Sequence, residues 1–309
     1  MKDFAILLFF LICQIGSSQA IEKIVLDEED ETSGYYLAVV PTENKIEGVL
    51  VLLPGFGQKA EAIFPETQLH KEAYENNILT IGFAAGSRLL LDQGIQKKFT
   101  EVLQDVIERF SVDKGRFVIG GFSAGGTIAL RYTELCLELP ENYPIEPIGV
   151  FVVDSPIDVF CLWEGFEETI KNNNSEIAVQ EAEYVTDLLA SRYGVPRENS
   201  SVYAKMNPFS MNTEYGEKNE VHLKNIAVRT YHDVDIAWRL QNRFQSAKNQ
   251  NFIATSELIK RLLILGNEQA EFIQTLGTGY RSDGQRHPHS WSIIDEAECI
   301  EWVKSILGK

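Results

Sequence analysis

Residues Gly121-Phe122-Ser123-Ala124-Gly125 spell G-x-S-x-G, with an apolar run before them and a helical pattern after them. A serine on a tight strand-to-helix turn must take a strained backbone conformation, and small residues on either side let such a turn close. The turn also puts its hydroxyl at the positive end of a helix dipole, where developing negative charge is stabilised. That is the setting of a nucleophile. A serine that only caps the helix is the plainer alternative, and the flanking strand and helix favour the nucleophile. Attack on an acyl carbonyl creates an oxyanion, which needs two donors. One is the backbone N–H of Ala124, and the other is expected from the loop Leu53-Pro54-Gly55-Phe56-Gly57, where the Phe56 N–H is the choice.

The hydroxyl also needs a base, and the chain has five His. His287 and His289 stand in Arg286-His287-Pro288-His289-Ser290-Trp291, between the last strand pattern and the last helix pattern. His289 is preferred because it directly precedes the expected helix start, whereas His287 is restrained by Pro288. His70 and His222 are expected on the surface. A carboxylate should orient the imidazole and stabilise it once charged. After the seventh strand come Tyr231-His232-Asp233-Val234-Asp235, and Asp235 is preferred because it lies farther into the loop. Asp233 is the reserve. Asp154, in Asp154-Ser155-Pro156 after the sixth strand, is a third candidate whose competing role is turn capping.

These groups require a frame of strands whose ends meet. Apolar β-prone runs are expected at 23–26, 35–40, 48–53, 78–83, 117–122, 148–153, 227–231 and 271–276. Runs such as Val49-Leu50-Val51-Leu52-Leu53 lack polar alternation, which suits strands covered on both faces and hence a mainly parallel sheet. Between the fourth and fifth strands, Ile95, Phe99, Val102, Leu103, Val106, Ile107 and Phe110 recur on one helical face. Further helices are expected at 124–139, 256–265 and 290–307, giving an α/β chain of eight strands with helices on both faces. The alternation breaks over 159–225, which reads as a helical insertion over the sheet, with an amphipathic piece at 178–193. Its Trp163, Phe166, Tyr184, Tyr193 and Tyr203 are read as the insertion's own packing. Eleven Asp and Glu against six Lys and Arg there mildly disfavour anionic substrates.

Over the whole chain of 309 residues, 45 Asp and Glu against 28 Lys and Arg leave a net charge of -17. With no basic block to offset it, nucleic acid and anionic membrane surfaces are poor partners. A hydrophobic fraction of 44% is enough for a large core. The first twenty residues differ: Lys2, an apolar run from Phe4 to Cys13, then Gly16-Ser17-Ser18-Gln19-Ala20. That is the pattern of a secretory signal cut after Ala20, leaving 21–309 as the mature domain, and the run is too short to span a bilayer. Lipid anchoring at Cys13 is disfavoured by the bulky Ile12 before it. Cys136, Cys161 and Cys299 are widely spaced and imply neither a disulfide framework nor a metal site.

Taken together, the elbow, the eight strands, the acid and His near the end and the insertion after the sixth strand resemble the α/β-hydrolase superfamily over nearly all of the mature chain. The resemblance implies Ser123 as nucleophile, Asp235 as acid, His289 as base and the Phe56 and Ala124 N–H groups as the oxyanion hole. It departs in one place, since many members carry His-Gly in the oxyanion loop where this chain has Pro54-Gly55. The serine separates it from haloalkane dehalogenase relatives, which use Asp there. The expected activity is that of a secreted or periplasmic serine hydrolase acting on a small-molecule ester through an acyl-enzyme, with no metal or organic cofactor. A peptidase of the same fold, or a non-catalytic binding protein on that scaffold, are the alternatives.

Overall fold

The computed structural model describes residues 19–42, 45–212, 214, 218–248 and 250–308. The expected signal at 1–20 lies, but for its last two residues, outside the described residues. Among them, eight strands form one sheet: β1 (Ile21–Val25), β2 (Tyr35–Val39), β3 (Gly48–Leu53), β4 (Ile78–Phe83), β5 (Phe117–Phe122), β6 (Gly149–Val153), β7 (Ala227–Asp233) and β8 (Ala270–Thr275). Their spatial order is β1-β2-β4-β3-β5-β6-β7-β8. The β1–β2 and β2–β4 pairs are antiparallel, and every pair from β4 to β8 is parallel. The helices are α1 (Ile63–Glu66), α2 (Leu69–Glu75), α3 (Gln93–Phe110), α4 (Ala124–Glu138), α5 (Val159–Asn172), α6 (Glu176–Tyr193), α7 (Ser200–Met206), α8 (Ile236–Arg243), α9 (Asn251–Ile264) and α10 (Glu296–Leu307).

Both faces of the central strands are covered, which is why they read as unbroken apolar runs. Along β3, Val49, Val51 and Leu53 join a core with Phe99, Leu103, Ile128, Leu258 and Leu262 of α3, α4 and α9. The alternate residues Leu50 and Leu52 join the opposite core with Leu69, Ala73, Ile300 and Val303 of α2 and α10. A third cluster belongs to α5, α6 and α7, where Phe160, Trp163, Val185, Leu189, Tyr203 and Met206 pack together and onto Ala124 at the start of α4. The 159–225 insertion is thus helical in its described part. Its aromatics divide: Trp163 and Tyr203 are buried, Tyr193 donates to Asp92 at 2.8 Å, and Tyr184 is exposed. Cys136, Cys161 and Cys299 are free thiols, and among the described residues no helix is long and apolar enough to cross a membrane.

Two boundaries differ instructively from the sequence reading. The last helix begins at Glu296 instead of Ser290, because Asp295 caps it by accepting from the Glu298 N–H at 3.0 Å. Trp291 and Ile293 form a short 3-10 turn that is buried against the sheet. β7 runs on to Asp233, because β8 pairs with it out to Asp233 and Thr275.

Parallel strands bring their carboxyl ends to one edge, and β3 is where the chain switches sides, with β4 on one flank and β5 on the other. The register pairs Leu53 with Gly121, Phe122 with Val153, and Val153 with Tyr231. The loops after β3, β5, β6 and β7 therefore rise side by side. At the first of these contacts the backbones nearly touch. A Cβ on Gly125 would lie 2.3 Å from the Pro54 carbonyl oxygen and 2.4 Å from that of Leu53, and one on Gly121 would lie 2.3 Å from the Gly125 carbonyl carbon. Backbone cannot swing aside as a side chain can, so Gly125→Ala is expected to cost about 1–3 kcal/mol or more in urea unfolding. Gly115→Ala, whose new carbon would meet only the Asp113 carboxylate at 3.4 Å, should stay within about 0.5 kcal/mol.

Candidate active site

Ser123 sits between β5 and α4 with φ 54° and ψ −126°, a conformation that only a strongly held turn maintains in a non-glycine residue. It occupies the cap position of α4 yet makes no side-chain cap bond, although serine normally does so there. The hydroxyl is instead 3.0 Å from Nε2 of His289. The Ser123 N–H donates to the Val153 carbonyl at 2.9 Å, which fixes the turn to the end of β6.

His289 reaches this point on the long segment between β8 and α10. That segment is fastened by two of the three carboxylates the sequence put forward as acids. Asp233 accepts from the Gly277 N–H at 2.9 Å and the Gly279 N–H at 2.7 Å, and Arg286 bonds both Asp233 and Asp235 at 2.8 Å. Asp235 also caps α8, accepting from the Trp238 N–H at 2.9 Å. The expectation that Asp235 orients the imidazole is therefore not met. Nδ1 of His289 faces Asp154 Oδ2 at 2.8 Å. The reason is the strand order: Ser123 follows β5, Asp154 follows the adjacent β6, and β7 lies one strand spacing, about 4.8 Å, farther off. His287 does not meet Ser123. Its Nε2 accepts from Arg243 at 2.9 Å, and Nδ1 faces the His289 carbonyl at 3.1 Å. Of the histidines expected on the surface, His222 is half-buried, and His70 is buried with its ring edge-on to Phe64.

Asp154 is buried, at 1% exposure, with its own φ at 42°. Burial alone would raise its pKa, but hydrogen bonds from His232 and His289 and the nearby charge of Arg239 outweigh it and hold the carboxyl well below the usual range. Oδ1 faces Nδ1 of His232 at 3.1 Å, and Oδ2 is shared by His289 and the Arg239 guanidinium, the latter at 3.1 Å. His232 is in turn bonded through Nε2 to the Thr255 hydroxyl on α9 at 2.7 Å and stacks on Phe272. His232 and Arg239 were missed from sequence. His232 ends a strand beside the candidate loop, which was a usable signal, whereas nothing in spacing marks Arg239.

The turn after β3 is held by Gly55 N–H donating to Gln58 Oε1 at 2.8 Å and Gly57 N–H donating to the Gly86 carbonyl at 3.0 Å. Among the described residues no acceptor takes the Phe56 N–H, and the Ala124 N–H, in the first turn of α4, has no intrahelical partner. Phe56, Ser123, Asp154 and His289 line one cleft of about 560 Å³. The insertion supplies one wall, including Leu162, Phe166 and Val185, and α8 with the His289 segment supplies the other, including Trp238, Arg243 and Arg281. Such a site offers a hydroxyl bonded to an imidazole, a buried carboxylate behind it and free N–H donors nearby, which is the equipment for acyl transfer.

No family model and no curated protein matches this sequence. Solved structures do match in shape. A putative esterase from Staphylococcus aureus aligns over 94% of this chain and 83% of its own at a TM-score of 0.55 and 12% identity. Carboxyl esterase 2 from Tuber melanosporum aligns over 97% and 86% at 0.55 and 15% identity. Esterase B from Lactobacillus rhamnosis aligns over 93% and 87% at 0.55 and 12% identity. Strand order, the turn at Ser123 and these full-length alignments agree on one architecture, and the chain is an α/β-hydrolase in fold.

Proposed function

We propose that the protein is an exported serine hydrolase that cleaves carboxylic esters, with Ser123 as nucleophile, His289 as general base and acid, and Asp154 as the orienting carboxylate. One observation carries the reading: the unbroken row from Ser123 Oγ to His289 Nε2 at 3.0 Å and from His289 Nδ1 to Asp154 at 2.8 Å. With Nδ1–H donating to Asp154, the Nε2 lone pair is free for the Ser123 proton. Oγ then bonds to the acyl carbon, and the charge formed on the carbonyl oxygen is received by the Phe56 and Ala124 N–H groups. The imidazolium returns its proton to the departing alkoxide as the C–O bond breaks. Water, deprotonated by the same imidazole, releases the acid from Ser123. Export rests on the first twenty residues and accords with β1 beginning at Ile21, directly after the expected cut.

A fluorophosphonate probe on the folded mature protein should label Ser123, and labelling should vanish in Ser123→Ala. An inert Ser123 would favour a binding protein on this scaffold. With a short 4-nitrophenyl ester, Asp154→Asn should lower kcat by a factor on the order of 10⁴, as expected when the carboxylate fixing the tautomer is lost. Asp235→Asn keeps an oxygen that can cap α8 and loses the ion pair with Arg286, so it should cost about 1 kcal/mol of stability or less, with a far smaller loss of kcat. The opposite ranking would return the role to Asp235.

The neutral state of His287 gives a pH test. Burial, reinforced by the charges of Arg281, His289 and Arg243, pulls its pKa down to about 3. In the unfolded chain an imidazole binds its proton near pH 6.5. Between those values the unfolded state holds more protons, so stability must fall as the pH drops. His287→Gln removes that component, and the difference in urea midpoint between pH 7 and pH 4.5 should shrink in the variant. An unchanged difference would mean that His287 does not carry it.

A further inference from the structure

The Arg side chains of the cleft are unequally matched. Arg239 is matched by Asp154 at 3.1 Å. Arg243 has its bond with the neutral imidazole of His287, at 2.9 Å, so its charge is not compensated there. Arg281 is half-buried and lies over the Phe122 ring at 5.4 Å from the centroid. Among the described residues no carboxylate is within ion-pair distance of Arg243 or Arg281. Burial lowers the pKa of Arg281; Glu66 opposes this from a distance, Arg243 adds to it, and Asp283 and Asp154 oppose it more weakly. Of the acidic residues on the opposite wall, Glu168 is paired with Lys248 at 2.9 Å, and Glu181 makes no ion pair with either arginine.

Two guanidinium groups that repel each other in a half-desolvated cleft are costly for a protein to keep unless an anion offsets them. They are also placed next to the chemistry. The Phe122 ring beneath Arg281 packs on the His289 imidazole at 4.5 Å between centroids, and Phe122 directly precedes Ser123. An anion on Arg281 is thus one aromatic ring from the base. The net charge of -17 disfavours multiply charged ligands at long range, while the planar fork of a guanidinium fits a single carboxylate. We propose that Arg281 and Arg243 form a carboxylate subsite, and that the preferred substrates are esters bearing a free carboxylate, such as hemi-esters of dicarboxylic acids or esters of hydroxy acids. Building on the esterase reading, this assigns a substrate class to the same site. It runs against the mild disfavour of anionic substrates expected from the acid excess of the insertion, which forms the opposite wall of the cleft.

The test compares matched esters. On the acyl side, the 4-methylumbelliferyl hemi-ester of adipic acid is set against the hexanoate; on the leaving-group side, 4-acetoxybenzoate is set against its methyl ester. One anionic member should exceed its neutral partner at least tenfold in kcat/KM, chiefly through KM, and the pair that does so tells which side of the scissile bond faces the arginines. Arg281→Gln and, separately, Arg243→Gln should collapse that ratio, with Arg281→Lys retaining part of it, and raising salt from 20 to 500 mM should lower it in the unmodified protein. Turnover of the neutral esters and labelling of Ser123 without any anionic preference would overturn the subsite and leave the esterase reading standing. Binding is read separately in Ser123→Ala by titration calorimetry, where monomethyl adipate should bind at least tenfold more tightly than dimethyl adipate, and equal affinities would also overturn the subsite.

Discussion

A carboxylate almost without access to water must be matched by positive or donating groups, or the charge becomes a liability. Asp154 meets that condition by drawing on three separate parts of the chain: His289 from the segment before α10, His232 from β7 and Arg239 from α8. Its main chain joins in, with the N–H donating to Tyr231 and the carbonyl accepting from Asn251 at the start of α9. Satisfying this one group therefore fixes the relative positions of elements that share no local sequence. The electrostatics then follow: the carboxyl stays ionised, and the imidazole facing it is held in a single orientation.

Ser123 is held by different means. Its strained backbone is maintained by close backbone packing, with Gly125 against the end of β3 and Gly121 against Gly125, and by the bond from Ser123 N–H to β6. Gly126 extends this packing on the side of Ser155, where a Cβ would fall 2.0 Å from the hydroxyl oxygen. Close packing sets where the hydroxyl sits, and electrostatics sets where the imidazole sits. The two meet at a single 3.0 Å contact.

Much of the frame was readable from the chain. The runs of β3, β4 and β5, apolar but for Thr80 of β4, mark buried parallel strands to the residue. The elbow was readable too, since only glycines survive such close backbone contact. His289 does stand against Ser123, though it was favoured for an imperfect reason, as the residue before a helix, and α10 starts at Glu296. The carboxylate that meets it was not the one favoured. Asp233, Asp235 and Asp154 all follow strands, and what separates them is which strand lies next to β5 and which carboxylates are already engaged by Arg286 and the α8 cap. Both are facts of three-dimensional order that no local pattern encodes. The arginines of the cleft were hidden similarly, since Arg243 and Arg281 stand outside the insertion that seemed to decide the substrate.

Because the carboxylate that meets His289 follows β6, the carboxylates of β7 and the loop after it serve another purpose. Asp233 and Asp235 clamp Arg286 and two main-chain amides of the segment that bears His289. Anchorage of that segment and polarisation of its imidazole thus rest on separate sets of atoms. A lineage of such chains is free to retune the imidazole of residue 289 through the neighbours of residue 154 without loosening the arm that carries it.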